Sequence, residues 1–443
     1  MTASTIPCRP VLTPDGATTI PRGFKQTDAG LIPEDWHASS VGAEFSVQLG
    51  KMLDAARNSG EPKPYLGNRS VQWGRIDLAE IATVPMTPSD LQRFRLRRGD
   101  LLVCEGGEIG RAALWEEPLS ECYYQKALHR LRPKGDFDPH LMMALLGLWT
   151  MTGRLANYVT QTSIAHLPKD KFELVPLPVP PSAEQRAIVD ALSDVDGMLS
   201  ALDALIAKKQ AIKQAAMQQL LTGRTRLPGF GRAWETKRLG ELGTTYGGLT
   251  GKRKADFEGG NARYVTFLNV LNNVVIDPDN VGIVSVAPTE SQSRVRKGDL
   301  LFNGTSETPG DLAMAAVVEM DEPDLYLNSF CFGFRIHNQE EHSPLFTAYF
   351  FRGLPGRQLM HGLAQGATRY NMSKRHFMTL SLRLPDYDEQ FAVAITLSEM
   401  DAEIAALARR RDKTRAIKVG MMQQLLTGRI RLIEPAKTVE ASA

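Results

Sequence analysis

Residues 51–75 bring together five cations, Lys51, Arg57, Lys63, Arg69 and Arg75, with Tyr65, Asn68, Gln72 and Trp73 between them. Arginine and lysine match phosphates and guanine edges, asparagine and glutamine match adenine, and aromatic rings stack on bases or wedge between them. A second set follows later: Lys252, Arg253, Lys254, Arg263, Asn269, Asn272 and Asn273, then Arg369, Tyr370, Asn371, Lys374 and Arg375. Either set alone is what an ordinary solvated face carries. Their occurrence in the same variable block of two related halves points to nucleic-acid recognition. Arg93, Arg95 and Arg97, alternating with Phe94 and Leu96, read as a half-buried strand whose charged edge either touches phosphate or faces solvent.

Catalytic patterns are missing around these sets. Gly247-Gly-Leu-Thr-Gly-Lys252 lacks both the spacing and the hydroxyl of a phosphate-cradling loop. Pro180-Pro181 sits between Val179 and Ser182, so it is not the Asn/Asp-Pro-Pro-aromatic turn with which amino-methylating enzymes hold a base. The dipeptides at Pro278, Pro323 and Pro385 are followed by no acidic-x-Lys pair and read as turns, not nuclease metal sites. The 8 histidines contain no His-Glu-x-x-His, and Cys8, Cys104, Cys122 and Cys331 stand apart without metal or disulfide spacing. We therefore expect no metal, no cofactor and no catalytic residue in this chain.

The elements that must position the candidate residues come from an internal repeat. Residues 172–224 align with 377–429 without gaps at an offset of 205, and 23 of the 53 positions are identical, including Met217-Gln-Gln-Leu-Leu-Thr-Gly-Arg224 and its copy from Met422 to Arg429. Upstream, Gly99-Asp-Leu-Leu102 matches Gly298-Asp-Leu-Leu301, and Trp36 matches Trp234. Between these anchors the halves share almost nothing. Residues 182–222 hold no proline and Gly197 alone among glycines, which predicts one long helix capped by Ser182 and stopped at Thr222-Gly223. Ile188, Leu192, Val195, Leu199, Leu202 and Ile206 follow coiled-coil spacing. Val393, Leu397, Met400, Ile404 and Leu407 repeat it, with Arg411 at the sixth position. Two such helices most simply bury their seams against each other.

The blocks before them read as mixed α/β. Residues 264–268, 274–276 and 101–103 are expected as strands, and helices are expected near 139–155 and 344–359. A length of 443 residues, 43% hydrophobic and 23% charged, suits two or three domains. With 52 Lys+Arg against 50 Asp+Glu, bulk charge does not drive polyanion capture, so any nucleic-acid surface must be local. No apolar run approaches the roughly 20 residues of a membrane span, and residues 2–19 lack the basic head and apolar core of an export signal. A soluble cytoplasmic protein is expected.

With these features together, the chain resembles the specificity subunit of type I restriction-modification systems over nearly its whole length. The resemblance is carried by Lys25-Gln-Thr with Gly30-Leu-Ile-Pro-Glu-Asp-Trp36, the Gly-Asp-Leu-Leu strands, Pro180-x-x-x-Glu-Gln185 and Pro385-x-x-x-Glu-Gln390, and both Leu-Leu-Thr-Gly-Arg ends. It implies an α+β architecture: two target recognition domains, residues 20–175 and 228–380, joined by a pair of antiparallel conserved helices, 180–224 and 385–429, with pseudo-twofold symmetry. Residues 1–19 become an N-terminal extension and 433–443 a flexible tail. Each domain would read one part of a split, asymmetric site in double-stranded DNA while the helices set the spacing. The family implies two adenine methyltransferase subunits carrying S-adenosylmethionine, and ATP-driven restriction subunits. Lys208, Lys209, Lys213, Arg409, Arg410, Arg411, Lys413 and Arg415 would hold the partner or touch phosphates between the half-sites. The rival reading is a coiled-coil scaffold carrying two ligand-binding domains that do not touch DNA.

Overall fold

The computed structural model describes residues 20–54, 58–161, 165–363, 366 and 369–434. They divide into two compact units. The first takes the described residues up to Ala201 and those from Arg411 onward, and the second is Leu202–Arg410.

The first unit is built on a four-stranded antiparallel sheet in the order Ala112–Trp115, Asp100–Cys104, Leu128–Pro133, Phe45–Leu49. The Asp100–Cys104 strand is buried at all five positions, because the sheet is covered on both faces. Leu101 and Val103 join one core with the helix Pro139–Thr152 and with Ile188 and Leu192. Leu102 and Cys104 point the other way, into a core shared with Leu66, Val84 and Tyr123. Those three residues belong to a second sheet, in which Glu61–Leu66 pairs antiparallel with Ala82–Met86 and parallel with Tyr123–Tyr124.

The second unit repeats this topology. Its four-stranded sheet runs Ala315–Val317, Leu300–Asn303, Cys331–Ile336, Gly243–Gly247, and Ala262–Val265 pairs antiparallel with Val281–Val284 and parallel with Leu325–Leu327. The repeated Gly-Asp pair explains the shared frame. Gly99 and Gly298 turn the chain at φ of 85° and 83°. Asp100 then accepts two hydrogen bonds of 2.7 Å from Arg132 and one of 2.8 Å from the Arg97 backbone. Asp299 does the same with Arg335 and the Arg296 backbone, at the same distances.

Several expectations need correction. Residues 93–97 are not a strand: a capping box of Thr87 and Asp90 starts a helix, Pro88–Phe94, and residues 95–97 follow it as irregular chain. The buried and exposed alternation is nevertheless kept, with Phe94 and Leu96 inside. The strand expected over 264–268 ends at Val265, because Thr266 caps the helix Phe267–Asn272. Residues 274–276 contribute only one bridge, Val275 to Val317. The helix expected over 344–359 is broken at Gly353 into Pro344–Arg352 and Leu354–His361.

The two long helices are Ser182–Leu220 and Tyr387–Leu425, 39 residues each. Each starts in one unit and ends in the other. In the first unit, Ile188 and Leu192 from the start of one helix share a core with Met422, Leu425 and Leu426 from the end of the other, and Asp196 pairs with Lys418 at 2.5 Å. In the second unit, Val393 and Leu397 share a core with Met217, Leu220 and Leu221, while Lys209 pairs with Glu403 at 2.7 Å and Lys213 with Asp401 at 2.5 Å. Start meets end both times, so the packing within each unit is antiparallel. Both helices stop at left-handed glycines, Gly223 at φ 68° and Gly428 at φ 66°.

Just past these stops the chain closes onto the Glu-Gln pairs. In the first unit Arg431 donates to both oxygens of the buried Glu184, at 2.5 and 2.6 Å, and also to Asp35; the Trp36 indole N–H reaches Glu184 at 2.9 Å. Arg431 holds the Asp35 carboxyl below its ordinary range. In the second unit Arg226 donates to both oxygens of Glu389, and Trp234 to one of them at 3.3 Å. The neighbouring glutamines, Gln185 and Gln390, each accept the backbone N–H of the next helix cap, Asp138 and Ser343, at 2.9 Å.

Candidate nucleic-acid interface

In the first unit the Glu61–Leu66 strand leads through Gly67 into a short turn, Asn68–Ser70, and then a tight hairpin, Val71–Gln72 against Arg75–Ile76. Gly74, at φ 70°, permits the reversal. This path brings Tyr65, Asn68 and Arg69 to one cavity of about 560 Å³, which Gln125, Asp77 and Glu80 also line. A phenol, an amide and a guanidinium facing one cavity are groups able to meet a base edge or a phosphate. The Asn68 side-chain amide donates to the Gly106 carbonyl at 3.2 Å, and the Asn68 backbone carbonyl accepts from Arg111 at 2.9 Å.

Other candidates in this unit are placed differently. Lys51 is paired with Asp90 at 2.8 Å. Lys63 lies between Glu121 and Glu61, at 3.1 and 3.3 Å, and these carboxylates raise its affinity for its proton. Gln72 donates to the Arg69 carbonyl at 2.7 Å. Trp73, at the hairpin tip, is 39% exposed and its indole N–H reaches Glu108 at 2.5 Å. Arg75 is exposed on the same hairpin. Arg57 lies outside the described residues. Of the neighbouring arginines, Arg93 lies over the Phe94 ring, Arg95 donates to the Ser120 carbonyl at 3.1 Å, and Arg97 is exposed.

The second unit gathers its exposed cations on two loops. Arg253 and Lys254 are exposed at the start of the turn Lys254–Phe257. Arg369, Asn371, Lys374 and Arg375 are exposed around the short strand Tyr370–Asn371, which pairs with Thr305–Ser306. Arg369 lies 5.4 Å over the ring of Phe330, which is itself 51% exposed. Sequence reading missed Phe330, since a lone phenylalanine among loop residues looks like any other core residue. Asn272 is exposed at the end of its helix.

Four candidates here are engaged within the fold. Asn269 is fully buried, and its amide donates to the carbonyls of Asp277 and Asn280 at 2.8 and 2.7 Å; Asn273 in turn donates to Asn269 at 2.9 Å. These two amides fasten the loop after Asn272, and Asn269 offers no edge to a base. The Lys252 side chain is only 6% exposed and reaches Glu290 and the Ser285 carbonyl at 2.6 Å, which holds the Glu290 carboxyl well below its ordinary range. Arg263 is partly engaged by Glu322 and by the Pro278 carbonyl.

On the long helices, Lys208, Arg409, Arg410, Lys413 and Arg415 are exposed. Lys209 and Lys213 are engaged by Glu403 and Asp401, and Arg411 by Asp412 at 2.9 Å. Among the described residues there is no cluster able to hold a metal ion, and no helix is long and apolar enough to cross a membrane. Cys122 and Cys331 are buried, which pushes both thiols up to about 12.

The sequence pattern of the type I restriction modification DNA specificity domain matches twice, at residues 33–214 and 232–414. A type I restriction enzyme specificity subunit of Methanocaldococcus jannaschii, MjaVIII, is 22% identical over 92% of this chain and 96% of its own length. Among solved structures, the S subunit of a type I restriction-modification system from M. genitalium covers 88% of this chain and 96% of its own, at 15% identity and a TM-score of 0.54. A chain from a structure on complex assembly and conformational transition of the type I R-M system covers 90% and 99%, at 17% identity and 0.59. These similarities do not support the rival scaffold reading. The two matches together span most of the sequence and fall on the two repeats, so this chain belongs to the family of type I restriction-modification DNA specificity subunits.

Proposed function

We propose that the chain supplies the sequence recognition of a type I restriction-modification complex, each unit reading one half of a bipartite site in double-stranded DNA. The observation that carries this reading is the contrast between frame and loops. Strand order, the buried Asp100 and Asp299 pairs and the arginine bonds to Glu184 and Glu389 recur in both units, whereas the exposed polar side chains differ in type and place. One unit offers Tyr65, Asn68 and Arg69 at a cavity, the other Arg369, Asn371, Lys374 and Arg375 beside Phe330. Frames that stay constant under divergent surfaces suit two readers of different sequences, with phosphate contacts giving affinity and base contacts specificity.

The two long helices extend this reading. Their seam residues and the ion pairs Lys209 to Glu403, Lys213 to Asp401 and Asp196 to Lys418 support antiparallel pairing as a coiled coil. A stiff pair would fix the spacing of the half-sites and display two similar surfaces to two methyltransferase subunits. Lys208 and the Arg409 to Arg415 stretch belong to that surface. The chain itself is non-catalytic in this reading: S-adenosylmethionine and ATP are bound by the partners. A mobility-shift titration with the methyltransferase subunit present tests it. We expect binding to one bipartite sequence with a steep salt dependence, and methyl transfer only when the partner is added. Salt-independent binding, or methyl transfer by this chain alone, contradicts it.

A further inference from the structure

In the first unit the helix Pro139–Thr152 and the face of the long helix carrying Ser193, Asp196 and Ser200 border a groove of about 430 Å³. Trp73 and Met422 close its other sides, and Gly147 lies on the wall formed by Pro139–Thr152. The second unit shows what fills the corresponding place. The offset of 205 sets Pro139 against Pro344, Ala144 against Tyr349 and Gly147 against Arg352. The matching bonds that Gln185 and Gln390 accept from the backbone N–H of the two helix caps anchor that register in space. Tyr349 is buried, its hydroxyl donates to Asp401 at 2.8 Å, and Lys213 both pairs with Asp401 and lies 5.6 Å over the ring.

The first unit keeps every partner of that ring except the ring. Asp196 and Lys418 pair at 2.5 Å as Asp401 and Lys213 do, and Met422 stands where Met217 stands. The residue between them is Ala144, which ends at Cβ. Without a ring above it, the Asp196 side chain is 52% exposed, against 37% for Asp401. Gly147 leaves the approach open, since an added Cβ would meet Met422 at 3.3 Å. Ser193, Asp196 and Ser200 are spread over eight residues of helix, about 10 Å from first to last. A groove of that length along a helix suits an extended segment of another chain better than a compact metabolite.

We propose that this groove receives a tyrosine side chain of the bound methyltransferase subunit, its ring lying where Tyr349 lies in the second unit and its hydroxyl donating to Asp196. The inference rests on reading the chain as a specificity subunit. Aromatic anchors that enter a preformed pocket and satisfy their polar tip contribute strongly to interfaces. Because the second unit supplies its own ring, one of the two docking surfaces carries this anchor and the other does not. The two methyltransferase subunits therefore bind with unequal affinity.

The test uses the full chain, p-cresol as the probe and the methyltransferase subunit as the partner. Ligand-detected NMR should show p-cresol binding to the wild-type chain, with toluene, which lacks the hydroxyl, at least fivefold weaker. Ala144→Tyr, which supplies the ring within the chain, should abolish p-cresol binding and weaken one of the two methyltransferase binding steps at least tenfold in native mass spectrometry. Asp196→Ala leaves the cavity in place and should equalise p-cresol and toluene, which keeps the test decisive if Ala144→Tyr does not fold. No p-cresol binding to the wild type, or unchanged methyltransferase binding by Ala144→Tyr, overturns the groove. A chain that takes up p-cresol but no methyltransferase instead contradicts its reading as a specificity subunit.

Discussion

The two units solve one folding problem with a few matching buried anchors and then diverge in the side chains around them, inside the core as well as at the surface. Asp100 with Arg132 and Asp299 with Arg335 have equal distances, and so do the bonds that Gln185 and Gln390 accept from the helix caps. The surroundings of these fixed points differ. Tyr246 donates its hydroxyl to Asp299, whereas the matching residue in the first unit is Gln48, which accepts from Arg130 instead. Arg431 has two carboxylates, Glu184 and Asp35, while Arg226 has Glu389 and the Arg232 carbonyl, because Ala233 replaces Asp35. His129 lies opposite Val103 where Phe332 lies opposite and stacks on Phe302. A frame of this kind tolerates change around a few buried anchors, which is what independent divergence of two reading surfaces requires.

The largest expected effect tests the unequal clamps. Glu389→Ala removes both carboxylate bonds of Arg226, leaving it only the charge of Asp386, and leaves the Trp234 N–H without its acceptor, and should cost about 3 kcal/mol of unfolding free energy. Glu184→Ala leaves Arg431 with Asp35 and should cost about 1 kcal/mol less. Denaturant titrations of both variants give the comparison, and equal losses would mean that Asp35 contributes nothing.

Acid should separate the units next. Burial keeps the His129 imidazole neutral and pushes its pKa down to about 4, below the ordinary value of 6.5, while its Nε2 meets the Leu167 carbonyl at 2.8 Å. Between those values the unfolded chain takes up a proton that the folded chain refuses, so stability falls as the pH drops through 6.5. The loss reaches about 2 kcal/mol by pH 5 and is complete near pH 4. His129→Phe, which copies Phe332 of the second unit, should remove this part of the pH dependence. An unaltered slope between pH 7 and 5 would place the acid sensitivity elsewhere.

The smallest effect separates reading residues from fold residues. Alanine at Lys374 and Arg375 should leave stability within about 0.5 kcal/mol. Each should also lower the salt slope of DNA binding by about 0.9 if it meets a phosphate. Alanine at Asn269 should instead destabilise by about 1 to 3 kcal/mol, because the buried amide's bonds to the Asp277 and Asn280 carbonyls and from the Asp277 N–H are lost.

Much of the frame was legible in the sequence. The repeat, the two long helices and their glycine stops follow from composition and spacing over some 40 residues, where local propensity and burial agree. Short elements were harder: 264–268 reads as β-branched and aromatic, yet Thr266 caps a helix there, and a single cap outweighs weak strand propensity. The clamp was hidden because Arg226 and Arg431 lie two residues beyond the repeated Leu-Leu-Thr-Gly-Arg ends and act on residues far away in the chain. Candidate contacts were legible by residue type alone. Type does not tell an exposed asparagine such as Asn371 from a buried one such as Asn269, because that depends on which carbonyls the fold brings near.

The central claim is that the two units read DNA independently on a common frame. Its most direct test is to replace residues 238–384 with the matching block of a relative and to map methylated sites across the genome of cells that carry the methyltransferase partner. The account predicts that one half of the recognised sequence changes while the other half and the spacing stay as they were. Loss or change of both halves together would contradict it.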